Sequence, residues 1–381
     1  MEKYSAYRDP GTGIQPFLYP VPPQGSGSLA TILKPITLSL GLIRTAFILI
    51  LAILYLILVP VLCTLFKPIT PIYNLLSSLV TFLILRLCLL FSGLYWISVE
   101  VVKRKRGRTT TNEKMSIRAG DIIVSNWISW LEIAWLACRY NPVFALPNFA
   151  SGTKPSLPSP SLLKKPIRGT KGTVSDSPSQ AGTQRKQAEL CGFTKVGFLQ
   201  LVSKCGLAPP YVEGDYQSLE QIRLQARKAG RPLVIFPECT TSNGRGLLRF
   251  ENVFKGVTVP IKHYNIFIMC VRINPPTNFS PSLSLPIPFH KSVNPLPHIF
   301  RICSSFAPYE LSIRFLAPSE SPGSETFVTS DFSSSATSGD DALTEICATL
   351  MSDIGRFKRT GMGWEDKSLF LDFYEGKNSK Q

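Results

Sequence analysis

Two apolar runs dominate the front of the chain. The first, Thr45–Phe66, reads TAFILILAILYLILVPVLCTLF and carries no charge. It is long enough for a bilayer core, which takes ~20 apolar residues. The second extends from Ile72 to Ser98 with Arg86 as its only charge. The short Lys67–Pro71 turn between them predicts a helical hairpin spanning 35–102. Arg86 near the middle of its run favours a hairpin that enters and leaves one leaflet, because Arg at the bilayer centre costs ~2.5 kcal/mol or more. The preceding residues, 1–34, are rich in Pro, Gly, Tyr and Gln and read as a disordered tail. The first apolar run starts too late for a signal peptide.

Behind the hairpin the pattern changes to short β-type runs alternating with helical ones. Asp121–Asn126 reads as a strand ending in polar residues. Trp127–Cys138 (WISWLEIAWLAC) reads as a helix apolar nearly all round, hence buried, capped by Ser125 or Asn126. Pro142–Pro147 is the next strand, completing a strand–helix–strand unit. Phe193–Gly206 predicts an amphipathic helix. Tyr216–Gly230 predicts a helix ending on Arg227, Lys228 and Gly230. Strands follow at Leu233–Phe236, Val257–Ile261, Ile266–Ile273 and Tyr309–Ala317. The segment 151–184 is Ser-, Pro- and Gly-rich and reads as a disordered insertion within an α/β domain spanning 103–318. A Ser-rich flexible segment, 319–341, and a C-terminal helical segment, 342–381, complete the chain.

The net charge of +16 suits anionic membrane or anionic ligands. Nucleic acid is not expected as a partner, since no basic helix, zinc spacing or ribonucleoprotein-type aromatic motif occurs. Lys103, Arg104, Lys105, Arg106 and Arg108 directly after the hairpin place that side in the cytosol and attract anionic headgroups. Modification of the glycosylation sequon Asn278–Ser280 would reverse this topology. Nine scattered cysteines without a C-x-x-C pair, and three histidines, argue for reduced structural thiols and no metal site.

Two stretches carry candidate chemistry. In Leu233–Phe250 an apolar strand runs into a turn dense in hydroxyls, Phe236-Pro237-Glu238-Cys239-Thr240-Thr241-Ser242-Asn243-Gly244-Arg245. A strand end rich in backbone N–H groups and hydroxyls suits an oxyanion, and Arg245 adds a bidentate phosphate contact. This turn resembles the FPEGT-type block of the glycerophospholipid (PlsC-like, lysophosphatidate) acyltransferases, with Cys239 where the family has glycine. The second stretch, Asn126-Trp127-Ile128-Ser129-Trp130-Leu131-Glu132, resembles the family's N-H-x-x-x-x-D block. Its Asp position carries Glu132; its histidine position carries Trp127, which cannot accept a proton.

The resemblance, most marked to the fungal lysophosphatidate:oleoyl-CoA acyltransferase group linked to vacuolar protein sorting, implies an acyltransferase-like mixed α/β sheet flanked by helices behind the membrane hairpin. It implies acyl transfer from acyl-CoA, a co-substrate, to a lysophospholipid, with no cofactor. Asn126 and Glu132 would sit at the chemistry, and Glu238, Thr240, Thr241 and Arg245 at the acceptor. The endoplasmic reticulum membrane or lipid droplet, with the α/β domain facing the cytosol, is the implied location. Trp127 supports an alternative, a catalytically inactive lipid-binding or trafficking protein of the same fold. A membrane-shaping protein acting through the hairpin is the other alternative.

Overall fold

The computed structural model describes residues 4–23, 28–62, 69–104, 113–149, 190–209, 216–257, 263–289, 293–324, 327 and 341–378. Its elements in chain order are helix α1 (Ser28–Ile57), helix α2 (Thr70–Phe91), strand β1 (Ile97–Val102), strand β2 (Ile122–Ser125), helix α3 (Trp130–Tyr140), strands β3 (Val143–Phe149) and β4 (Leu190–Val196), and helices α4 (Phe198–Lys204) and α5 (Leu219–Lys228). Strands β5 (Leu233–Ile235), β6 (Gly246–Leu247) and β7 (Ile266–Ile273) follow. Helix α6 (Leu296–Cys303), strand β8 (Leu311–Leu316), helix α7 (Ala342–Gly355), strand β9 (Lys358–Arg359) and helix α8 (Trp364–Asn378) close the chain. The expected insertion at 151–184, the strand residues 258–261 and most of 319–341 lie outside the described residues.

Seven strands form one mixed sheet in the order β1-β8-β7-β2-β5-β3-β4. The central four, β7-β2-β5-β3, are mutually parallel; β4 and β8 run against their inner neighbours, and β1 is parallel to β8. Central strands buried on both faces are near-continuous apolar runs, which is why IIV, LVI and IFIMCV fold here. Alternation still sorts their side chains. Ile123, Val234, Phe236, Phe267 and Met269 join the core under α3 and α4. Ile122, Val124, Leu233, Ile235 and Ile268 join the core containing α7 residues and Ile222 and Ala226 of α5. The register Ile122↔Leu233 and Ile122↔Ile266 brings the carboxyl ends of β2, β5 and β7 level, so the two motif stretches emerge side by side.

Several expectations are corrected. The tail is folded over residues 4–23: Phe17 and Tyr7 are buried against Phe370 and Leu371 of α8, because this segment carries the aromatic groups that fill that surface. The end of the expected hairpin, Ile97–Val102, is a sheet strand paired with β8. The first apolar helix begins at Ser28, well before Thr45. Helix α3 starts three residues late because Ser129 caps it, accepting from the Leu131 N–H; Ser125 and Asn126 lie upstream in extended chain. The predicted helix over Phe193–Gly206 divides into β4, paired antiparallel with β3, and the shorter α4.

Two helices are long and apolar enough to cross a membrane, over Ile32–Pro60 and Ile72–Phe91. Helix α2 buries one face, Ser77, Thr81, Ile84, Leu85, Cys88 and Leu89, and exposes Leu75, Leu79, Phe82, Leu83, Leu87 and Leu90. Arg86 reaches back to the Tyr95 carbonyl at 2.8 Å, which draws its charge toward the end of the helix. Helix α1 is fixed to the domain by Arg44, which donates to the Ser305 carbonyl at 2.9 Å and the Tyr95 hydroxyl at 3.2 Å. Gly41 lets α1 approach α6: a Cβ there would lie 2.1 Å from Ser304 Oγ.

Candidate active site

The chain leaving β2 is held by Asn126. Its side chain accepts from the Val271 N–H at 2.7 Å and donates to the Val271 carbonyl at 3.0 Å, prolonging the β2–β7 pairing by one side chain. The next three residues run extended to the Ser129 cap. Glu132 closes this loop as a capping box, accepting from the Ile128 and Ser129 N–H groups at 2.5 and 2.6 Å. Glu238, at the end of β5, accepts from the Trp127 N–H at 2.7 Å and from the Leu248 N–H at 2.8 Å. The two carboxylates therefore grip the segment Trp127–Ser129 from opposite ends.

The turn after β5 is equally occupied. Cys239 adopts a φ of 58°, the left-handed conformation that glycine takes freely and an L-residue takes at a cost of about 1–2 kcal/mol. The turn thus keeps its tight shape despite the cysteine. Thr240 Oγ1 donates to the Leu207 carbonyl and Thr241 Oγ1 to the Leu285 carbonyl, both at 2.6 Å. Gly206 donates its N–H to Thr241 Oγ1 at 3.0 Å. That approach requires glycine: at φ 89°, a Cβ would lie 2.7 Å from the backbone of Pro288. Asn243 donates to the carbonyls of Gln15 and Leu18 at 2.7 and 2.9 Å, so the N-terminal segment is strapped across the turn.

Five of the six predicted site residues, Asn126, Glu132, Glu238, Thr240 and Thr241, thus come together at the strand ends, each almost fully buried. Arg245 stands apart. It is exposed and lines a 410 Å³ cavity with Arg8, Gln15, Tyr19 and Asn243, roofed by the N-terminal segment.

Trp127 is completely buried and stacked on Phe236 with ring centroids 5.0 Å apart. No described histidine takes over the missing position. His263 is exposed beside the amino end of β7, the opposite end of the sheet from the motif turn. His298 accepts from the Trp130 indole N–H at 3.1 Å on Nδ1, so its proton sits on Nε2 and points to the Ser282 carbonyl at 3.2 Å. With both nitrogens engaged and burial holding its pKa down to about 4, it is a neutral core residue. His290 lies outside the described residues.

Burial raises both carboxylates despite their N–H partners: Glu132 to about 7 and Glu238 to about 8, the latter also raised by Glu132. Beside them stands a group that the sequence reading passed over. Lys367 on α8 is fully buried, and its Nζ donates to the Thr241 carbonyl at 2.7 Å and to Thr241 Oγ1 at 3.1 Å. Burial drives its pKa well below the usual lysine value, opposed by Glu238 and Cys205. The available signal was its spacing: Lys367 falls three residues from both Trp364 and Phe370 and so shares their buried face. Among the described residues no cluster of His, Cys, Asp and Glu could hold a metal ion.

No protein-family model matches this chain, and no solved structure does. The chain is 25% identical over 377 residues, 98% of each sequence, to a Schizosaccharomyces pombe protein named "Putative lysophosphatidic acid:oleoyl-CoA acyltransferase". The similarity to a protein of that name therefore runs from the apolar hairpin to the C-terminal helix and takes in both motif stretches.

Proposed function

We propose that this chain is a membrane-anchored acyltransferase that moves a fatty acyl group from acyl-CoA to the free hydroxyl of a lysophospholipid, lysophosphatidate first. The observation that carries the reading is the similarity along the whole chain to a protein so named. The apolar hairpin is consistent with it, since both substrates bring lipophilic tails. A cytosolic α/β domain at the endoplasmic reticulum or lipid-droplet surface belongs to the same proposal.

In this reading Arg245, with Arg8 across the same cavity, takes the acceptor phosphate. Glu132 and Glu238 hold the Trp127–Ser129 loop, and Thr240, Thr241 and Lys367 hold the turn that carries Arg245. Asn126 fixes the loop at the β2 end. These six are positioning residues. Trp127 cannot remove the hydroxyl proton, so catalysis here rests on placement of the two substrates. Loss of a general base costs typically ~10²–10⁴-fold, which leaves measurable transfer.

A second reading, lipid binding without chemistry on the same fold, is favoured by one observation: Trp127 fills the base position completely and Thr240 and Thr241 spend their hydroxyl protons on backbone carbonyls. One assay separates the two. Membranes carrying the full chain are given labelled oleoyl-CoA and a panel of lysophospholipids, with Arg245→Ala and Trp127→His alongside. Transfer to lysophosphatidate by the parent that falls at least tenfold in Arg245→Ala supports the enzyme. No transfer in the parent, with transfer gained in Trp127→His, establishes the second reading and defeats the first.

A further inference from the structure

A second cavity, of 440 Å³, lies across Tyr19 and Pro20 from the Arg245 cavity, which those same two residues also line. Its remaining walls come from four places: Pro22, then Leu33, Lys34 and Thr37 of α1, the 276–282 loop, and Arg301, Ser304 and Phe306 on and after α6. The size suits a small ligand or headgroup. Its polar side chains include Lys34, Arg301, Thr37, Asn278, Ser282 and Ser304, and no Asp or Glu lines it. Among the described residues, neither Lys34 nor Arg301 pairs with a carboxylate, whereas Lys103, Arg104, Arg223, Arg249, Arg314 and Arg359 each do. The Thr37 and Ser304 hydroxyls already donate to the Lys34 and Phe300 carbonyls, so it is the two cations without a carboxylate partner, with no acid in the lining, that make a site for an anion.

The place of the cavity in the fold says where the anion comes from. Lys34 and Thr37 lie at the start of the apolar helix span Ile32–Pro60, one helical stretch before Arg44, which ties α1 to the domain. From Arg44 to Pro60 the helix rises about 24 Å at ~1.5 Å per residue, most of the ~30 Å hydrocarbon thickness. Lys34 lies ten residues before Arg44, roughly 15 Å further along the helix, so the cavity sits at the domain end of that span, beyond its most apolar part. Around it the surface turns apolar: Phe279 and Phe306 line it and Phe289 packs against the lining residue Tyr19 with ring centroids 5.9 Å apart, all three exposed by 40% or more. Exposed aromatics beside unpaired cations suit a bilayer interface, with rings among the upper acyl chains and cations at the phosphates.

We propose that this cavity binds the phosphate headgroup of an anionic phospholipid from the adjoining leaflet, held between Lys34 and Arg301 with its acyl chains along α1. The site differs from the Arg245 cavity and does not depend on acyl transfer.

The test uses the full chain in nanodiscs of phosphatidylcholine containing a trace of photoactivatable phosphatidate, with cross-links mapped by peptide mass spectrometry. Labelling is expected in peptides covering 276–282 and 301–306, competed by unlabelled phosphatidate and not by inorganic phosphate. Arg301→Gln and Lys34→Gln should each lower the labelling about five- to tenfold, while Arg301→Lys keeps most of it. An unchanged melting temperature shows that each variant is folded. Equal labelling by a photoactivatable phosphatidylcholine, or labelling untouched in the double Gln variant, overturns the proposal. Full competition by inorganic phosphate would assign the site to a soluble phosphate and overturn it equally.

Discussion

The motif turn and the cavity over Lys34 and Arg301 are both places where polar groups gather, yet they are built in opposite ways. In the turn, Glu238, Thr240, Thr241 and Asn243 are buried, and their side chains bond chiefly to backbone groups of other segments, with Lys367 also donating to Thr241. At the cavity, Lys34 and Arg301 are exposed and unmatched by any described acid. A polar group buried without a partner costs about 1–3 kcal/mol, so a buried turn must satisfy itself and becomes framework. A surface cation has water and no such demand, and stays available to a ligand. Resemblance in sequence marks the first place; only accessibility marks the second.

The sharpest way to break this comparison is Glu238→Ala. It strands the Trp127 and Leu248 N–H groups, and a loss of about 4 kcal/mol is expected, two buried donors at about 1–3 kcal/mol each plus a small cavity. Denaturant unfolding in detergent measures it. A variant of unchanged stability that loses only transfer would move Glu238 from framework to chemistry. The companion Glu238→Gln probes the proton. With a folded pKa of about 8 against an ordinary value of 4.5, the folded state holds the extra proton between those limits. Its contribution to stability is therefore greatest below pH 4.5 and is lost as pH rises toward 8. The melting temperature of the parent should fall over that window more steeply than that of Glu238→Gln.

Lys367 gives the next largest effect. Lys367→Ala leaves the Thr241 carbonyl without its donor and opens a void, for about 3 kcal/mol. Lys367→Met fills the void without burying an amine and should cost about 1–2 kcal/mol less than Lys367→Ala. Equal losses in the two variants would mean that the amine itself matters. The smallest effect is expected from Asn243→Ala, about 1–2 kcal/mol, since it releases two hydrogen bonds to the N-terminal segment. Limited proteolysis should then cut within residues 4–23 before the rest of the chain. Simultaneous cleavage throughout would show that Phe17 and Tyr7, rather than Asn243, hold the strap.

What the sequence determined by itself was the set of elements whose pattern is local. The apolar helices, the buried strands at Ile122, Leu233 and Ile266, the buried faces of α3 and α7 and the turn at Pro237 all follow from periodicity and turn residues. Those signals span a few residues and survive any tertiary arrangement. Tertiary structure alone decided the rest. Ile97–Val102 becomes a strand because β8 offers an open edge, and nothing near Ile97 announces that partner. Residues 4–23 fold because α8 and Asn243, more than two hundred residues away, present a surface and two donors. Lys367 reaches Thr241, and Lys34 comes to line the same cavity as Arg301, through contacts across the whole chain. Asn126, Glu132 and Glu238 were readable as a group from their motifs, but whether their oxygens face a substrate or a backbone N–H depends on which segments pack over them. Burial is a property of the assembled fold, and it is burial that decides which of these polar groups bond within the chain and which face solvent.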